Sequence, residues 1–165
     1  MCGIAGIYYY DDMRRAERDM LVTMRDTMAH RGPDDEGVLV DGSVALGHRR
    51  LSIIDLSAAG HQPMQSANKR FILTFNGEIY NFRELRAELE YPFRSHTDSE
   101  VLLAAWQTWG EACIDRLIGM FAFAVWDRAE GDLHLVRDRL GIKPLYFYHD
   151  NDNFLFSSEV RALLA

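Results

Sequence analysis

Met1-Cys2-Gly3-Ile4-Ala5-Gly6-Ile7 opens the chain, and its second residue decides how the rest is read. If Met1 is removed after synthesis, Cys2 carries both a thiol and a free α-amine. A thiolate is a strong nucleophile, and an α-amine titrates near neutrality, at roughly 7.7–8.0. One residue then holds a nucleophile and a base for it, with no histidine required. The residue after the initiator is small, so removal of Met1 is expected. The competing reading is a small buried residue at the start of a strand, the common fate of a free cysteine.

Size and charge narrow the choice. The 165 residues are 48% hydrophobic and 26% charged, enough for one domain with its own core. The net charge of −7, without a basic block, argues against nucleic acid and against anionic membranes as partners. The two cysteines, Cys2 and Cys113, fit no zinc or redox spacing. That usage belongs to a reducing compartment, so the expected location is the cytoplasm. There is no apolar run long enough for a membrane helix and no basic region ahead of an apolar stretch. A nucleophile at position 2 is also incompatible with a cleaved leader. No residue set has metal-ligand spacing, and no Gly-rich phosphate loop is present.

Periodicity places the elements. Ile4–Tyr10 reads as a strand stopped by Asp11-Asp12, and Met13–Ala29 as an amphipathic helix ending at Gly32-Pro33. Ala16, Met20, Met24 and Met28 recur on one face beside Leu21, a core stripe rather than a soft-metal site. Strands over Gly37–Val40 and Val44–Leu51 turn at Asp41-Gly42. Leu56–Lys69 is a loop long enough to be a lid. Phe71–Phe75 and Glu78–Phe82 flank Asn76-Gly77, which is a hairpin signal. Thr97-Asp98-Ser99-Glu100 fits a capping box ahead of a helix burying Val101, Leu102, Ala105, Trp106 and Trp109. Met120–Trp126 is apolar at every position, so that strand is covered on both faces. Leu133–Arg137, Leu145–His149 and Phe154–Ser157 are further strands, and Glu159–Leu164 begins a helix. About eight strands and three or four helices, with one doubly covered strand, point to stacked sheets clothed by helices.

Four segments carry candidate chemistry: His30-Arg31-Gly32-Pro33-Asp34, Gly47-His48-Arg49-Arg50-Leu51-Ser52-Ile53-Ile54-Asp55, Asn76-Gly77-Glu78-Ile79-Tyr80-Asn81, and Ser95-His96-Thr97-Asp98-Ser99-Glu100. Each also has a structural reading, as a helix stop, a strand end, a hairpin turn and a helix cap. Together with Cys2, and with Gly119–Ala124 and Asp138–Tyr146, they resemble the glutaminase domain of class II, N-terminal-nucleophile glutamine amidotransferases. Within that class the resemblance is to glutamine-hydrolysing asparagine synthetases and their relatives.

The resemblance implies a four-layer αββα sandwich of the N-terminal-nucleophile hydrolase type, within the α/β (α+β) class. It implies that Cys2 attacks the side-chain amide of L-glutamine and that Asn76 and the Gly77 backbone N–H receive the oxyanion. Arg50 would hold the substrate α-carboxylate, as guanidinium geometry suits. Asp98 would hold the α-ammonium with help from Glu78, and groups near Leu51 and Ile53 would complete the pocket. His48, His61 and His96 are expected to be structural or solvent-facing, Arg31 to brace, Cys113 to be inert, and Asp138, Arg139 and Lys143 to form a strand–turn–strand brace.

The resemblance also implies residues 1–165 as a glutaminase domain cut short at its C-terminus. An ammonia-accepting synthetase domain, in cis or in trans, would be its partner. That domain would use ATP and Mg, and its SGGxDS-type loop does not occur here, so no cofactor is expected in this domain. An unpaired sheet edge left by the truncation would invite association, a homodimer included. The alternatives are a glutamine-binding regulatory or docking module without turnover of its own, and a half-assembly inactive until a partner orders the 56–69 loop.

Overall fold

The computed structural model describes residues 1–165. In chain order it has β1 (Gly3–Tyr9), α1 (Arg18–Asp26), β2 (Asp35–Asp41), β3 (Val44–Arg50), β4 (Met64–Gln65), β5 (Phe71–Ile79), α2 (Phe82–Glu88), α3 (Asp98–Trp109), β6 (Gly119–Asp127), β7 (Asp132–Arg137), β8 (Tyr146–His149), β9 (Asn153–Ser157) and α4 (Val160–Leu163). Short 3-10 helices occupy Ala58–Gly60 and Gly110–Arg116. The strands form two antiparallel sheets, ordered β2-β3-β1-β9-β8 and β4-β5-β6-β7.

Strand alternation builds the layers, because successive side chains point to opposite faces. Along β1 and β3, Ile4, Val44 and Leu46 meet Ile72, Ala122, Ala124 and Trp126 of the second sheet. Their neighbours Ala5, Ile7, Tyr9 and Ala45 face outward onto Leu21, Met24 and Met28 of the α1 region and onto Ala162 of α4. In β6 the odd-numbered Phe121, Phe123 and Val125 pack beneath α3 against Val101, Leu102, Ala105 and Trp106. The order is helix, sheet, sheet, helix, so the expected αββα sandwich is present and β6 is indeed buried on both faces.

The structure departs from the sequence expectations at four places. Residues 13–17 are not helical. The Asp11 carboxylate accepts from Met13 N at 2.9 Å, and Ala16 N donates to the Gly42 carbonyl at 2.9 Å, so this stretch serves a turn and helix α1 begins only at Arg18. Asn76-Gly77 is not a hairpin turn. It lies inside one nine-residue strand whose register runs unbroken from Phe71↔Asp127 to Ile79↔Gly119. The 56–69 segment is not a free lid: the buried Gln62 side chain accepts from Phe75 N at 2.7 Å and donates to Ser99 Oγ at 3.2 Å. Helix α2 and the Gly110–Arg116 3-10 helix, which holds the buried Cys113, had no periodic signal strong enough to announce them.

The Thr97 cap is present, with Thr97 Oγ1 accepting from Glu100 N at 3.1 Å. The reciprocal half of a capping box is rewired. Glu100 instead accepts from Arg94 N, Ser95 N and Ser95 Oγ, which ties the loop before α3 to its first turn.

Candidate active site

Cys2 sits immediately before β1, whose first pairing, Gly3↔Arg49, brings it beside the end of β3. Leu51 N donates to Cys2 Sγ at 3.4 Å, and the thiol reaches the Leu51 carbonyl at 3.7 Å. Those are the sulfur's polar contacts, and none is a side-chain base. Arg31, held by Glu159 at 3.1 Å, donates from Nε to the Cys2 carbonyl at 2.9 Å. Arg31 therefore braces the Cys2 backbone. Burial pushes the Cys2 thiol above its ordinary value, against the Leu51 N–H, the chain's amino terminus and Arg50, which favour the thiolate. The resting sulfur is a thiol and needs a base to become reactive.

Asn76 on β5 lines the same cavity as Cys2. Its side chain is 1% exposed, yet neither its amide nitrogen nor its oxygen has a partner. Leaving a buried amide unsatisfied costs about 1–3 kcal/mol, so its occurrence in a cavity lined by a thiol points to a group reserved for a ligand. The Gly77 N–H has an equally definite direction. Phe121, its partner on β6, gives its N–H and carbonyl to Asp138, so Gly77 turns its own away from β6. Along the same edge of β5, Phe75 N donates to Gln62 and Ile79 N donates to Asp98 at 3.0 Å. The Gly77 N–H lies between those two on the same side, towards the cavity. A Cβ at Gly77 would come 2.4 Å from the Met120 carbonyl oxygen and 2.7 Å from the Phe75 ring, so the close approach requires glycine.

Two buried charged groups, Asp98 and Arg50, line the same cavity. Asp98, 5% exposed at the start of α3, accepts from Ile79 N. Its carboxyl is pushed up to about 6, chiefly by burial and further by nearby Glu78, against stabilising backbone N–H bonds from Ile79 and the first turn of α3. Arg50 is buried, and its Nη1 donates to the Ser57 carbonyl at 2.8 Å while Nη2 donates to the Asp55 carbonyl. A guanidinium has five N–H donors, so this anchoring leaves capacity for a ligand carboxylate.

Every residue singled out for this site lines one cavity: Cys2, Arg50, Leu51, Ile53, Asn76, Gly77, Glu78 and Asp98. His48 lies behind it rather than in it. Its Nε2 meets the Phe75 carbonyl at 3.0 Å, and full burial drives its pKa down to about 4. As the neutral ring it can only donate from Nε2 to that carbonyl. Gln62 and His48 thus hold both backbone groups of the residue before Asn76. Sequence reasoning missed Gln62, Asp55, Met120 and Lys143 as cavity residues. Lys143 had been assigned to a brace. Its backbone does brace, but its side chain reaches into the cavity. No three His, Cys, Asp or Glu side chains come together in a metal-holding cluster.

An αββα sandwich with a cysteine immediately before its central strand β1, in one cavity with an unpartnered buried amide, has the fold of the N-terminal-nucleophile hydrolase class. The profile of the glutamine amidotransferase domain matches residues 1–165. The chain is 41% identical over 170 residues to asparagine synthetase [glutamine-hydrolyzing] 3 of Bacillus subtilis (strain 168), covering 100% of this chain and 28% of that one. It is 42% identical over 168 residues to asparagine synthetase B [glutamine-hydrolyzing] of Escherichia coli (strain K12), covering 99% and 30%. Among solved structures, the glutamine phosphoribosylpyrophosphate amidotransferase of B. subtilis superposes with a TM-score of 0.82 at 21% identity, over 98% of this chain and 43% of that one. This last likeness establishes the fold alone. The chain belongs to the glutamine amidotransferase domain family. It spans less than a third of the length of these curated relatives.

Proposed function

We propose that this domain hydrolyses the side-chain amide of glutamine to glutamate and ammonia through a γ-glutamyl thioester on Cys2, and that it supplies the ammonia to an asparagine-synthetase-type domain. The observation that carries the reading is the unpartnered, buried side-chain amide of Asn76 in one cavity with the Cys2 thiol, Arg50 and Asp98.

The steps follow from the groups present. With Met1 gone, the Cys2 α-amine takes the thiol proton, directly or through a water; no side-chain base contacts the sulfur. The thiolate attacks the carboxamide carbon, and the new oxyanion is received by Asn76 Nδ2–H and Gly77 N–H. Donors aimed at a developing oxyanion contribute roughly 3–4 kcal/mol each. The carbon–nitrogen bond then breaks, the protonated α-amine returns its proton, and ammonia leaves. Water, deprotonated by the same amine, attacks the thioester, and glutamate leaves as the thiol reforms. Arg50 and Asp98 hold the α-carboxylate and α-ammonium of the substrate throughout, with Glu78 adding negative potential on the ammonium side.

The whole enzyme would be a cytoplasmic ligase amidating aspartate or a related carboxylate, with ATP and Mg serving the synthetase domain. Both cysteines are free thiols, in keeping with a reducing compartment, and no helix is long and apolar enough to cross a membrane. The test is glutamate release by the purified domain beside Cys2→Ala, with an intact mass of each. Turnover that disappears in the variant is the expected result. Full turnover by Cys2→Ala would overturn the reading.

A further inference from the structure

Lys143 is the cation at this site that the mechanism above leaves unused. It is 4% exposed, follows the β7 end by a tight turn, and lines the same cavity as Cys2. Its Nζ has one polar neighbour, the thioether sulfur of Met1 at 2.9 Å. A buried ammonium normally has a carboxylate or carbonyl partner, and a thioether is a weak acceptor. Removing Met1 removes even that contact.

The aim of this side chain is fixed by its backbone. Asp138 accepts from Lys143 N at 3.0 Å, from Ile142 N at 2.9 Å and from Phe121 N at 3.2 Å, while Arg137 Nε donates to the Lys143 carbonyl at 2.7 Å. The Asp138 carboxylate is thereby held below the usual carboxylate range by backbone N–H bonds, despite some burial. The turn is locked onto the start of β6, beside Gly77, and an ammonium is presented where the first residue of the chain had been.

We propose that Lys143 is a positioning residue for the nucleophile: once Met1 is removed, its ammonium faces the new Cys2 terminus, keeps the α-amine a free base ready to take the thiol proton at neutral pH, and steadies the thiolate that results. This rests on the N-terminal-nucleophile reading above. The physical reason is plain Coulomb repulsion, since a second cation nearby disfavours protonation of the amine and favours the sulfur anion. Other charges face the same point. Arg50 at the end of β3 acts in the same direction as Lys143. Asp98 of α3, Glu78 of β5 and Asp55 of the 51–57 loop oppose it. Behind Cys2, Arg31 is neutralised by Glu159, and behind Lys143, Arg137 is a further cation, held by the Lys143 and Gly141 carbonyls, that acts in the same direction. The carboxylates that bind a substrate ammonium would by themselves raise the amine's pKa and leave it protonated; Lys143 offsets that penalty.

The experiment is the pH dependence of Cys2 alkylation by iodoacetamide and of glutamine hydrolysis, in the wild type, Lys143→Met and Lys143→Arg, each with an intact mass proving that Met1 is gone. Cys113 is fully buried and its thiol is pushed up to about 12, so it does not compete for the reagent. Lys143→Met keeps the chain's shape without its charge. It should move the alkylation midpoint up by about one pH unit and lower kcat/KM about tenfold at pH 6.5, with the loss closing at pH 9 and KM for glutamine changing less than about twofold. Lys143→Arg should restore the wild-type midpoint. A Lys143→Met protein with unchanged midpoints, or a loss equal at every pH and not restored by arginine, would overturn the proposal. Wild type that alkylates but releases no glutamate would instead count against the glutaminase reading, and the alkylation midpoints would still decide the role of Lys143.

Discussion

Two similar dipeptides in this chain meet opposite fates. Asp41-Gly42 sits where the chain reverses: Asp41 pairs with Val44, and Gly42 and Ser43 form the two-residue turn between β2 and β3. Gly42 has φ +61°, the sign that a primed hairpin turn needs at its first central position. Asn76-Gly77 has the stronger turn composition, yet the strand runs straight through it. The difference lies in what stands opposite. After Asn76, three further residues pair with β6, down to Ile79↔Gly119, and a fold-back would forfeit those pairs. No such partner awaits the chain after Asp41. The glycines consequently do different work. Gly42 supplies a backbone angle with nothing within 4 Å of its missing Cβ, whereas Gly77 supplies an absence of atoms against Met120 and Phe75.

The largest expected effect breaks this comparison at Gly77. Gly77→Ala drives a Cβ into a backbone carbonyl, which cannot rotate aside. Overpacking of this kind costs about 3 kcal/mol of stability, and the shift it forces on the Gly77 N–H should lower kcat about a hundredfold or more. Urea unfolding and glutamate release on the same preparation check both. A Gly77→Ala protein of normal stability and activity would mean that Gly77 is not closely packed against β6.

Asn76→Ala separates structure from chemistry at the neighbouring position. The wild-type amide satisfies no partner, so removing it should change stability by less than about 1 kcal/mol, the small cavity being offset by the lost desolvation cost. Transition-state stabilisation should nevertheless fall by roughly 3–4 kcal/mol. A strongly destabilised variant would show that Asn76 is structural.

These two positions show where sequence reading succeeds and where it stops. The sandwich was legible because alternation and apolar runs report burial directly: β6 is apolar from Met120 to Trp126, and β1 alternates between two cores. The eight candidate site residues came from family resemblance, and the fold brings them to one cavity. What was not legible depends on partners distant in sequence. Asn76-Gly77 carries a local turn signal that only the facing strand overrides. Gln62 reads as an ordinary loop residue until Phe75 and Ser99 are placed beside it. Lys143 reads as part of a turn because no local pattern says that its ammonium will point towards residue 1. Helix α1 was read too long because Asp11 and Gly42 claim the backbone of residues 13–16, contacts that periodicity does not contain.

A smaller effect concerns the acid end of β5. Asp98, raised to about 6 mainly by burial, must be ionised to receive an ammonium group. KM for glutamine should therefore rise about tenfold for each pH unit below 6, with less change in kcat. The stability sign is the reverse of that for an ordinary paired carboxylate. The folded state binds this proton more tightly than the unfolded chain does, so the stabilisation is present below pH 4 and lost as pH rises through 6. Asp98→Asn should raise KM, remove its dependence on pH below 6, and flatten that part of the stability profile. A KM that ignores pH between 5 and 7 in the wild type would remove Asp98 from ammonium recognition.

The smallest effect lies at Gly42, and it tests whether the two glycines really differ in kind. An alanine there meets no atoms, so its only penalty is the left-handed backbone angle, about 1 kcal/mol. Asparagine, which tolerates that angle through local hydrogen bonding, should cost a few tenths of that. Glutamine hydrolysis should be untouched in both variants, because the turn lies at the far end of β3 from Arg50 and Leu51. At Gly77 the ranking should invert. Asparagine there is larger than alanine and faces the same carbonyl, so it should be the more damaging substitution. If Asn were better tolerated than Ala at both positions, backbone angle rather than close approach would govern Gly77, and the straight strand through Asn76-Gly77 would be the wrong account of this site.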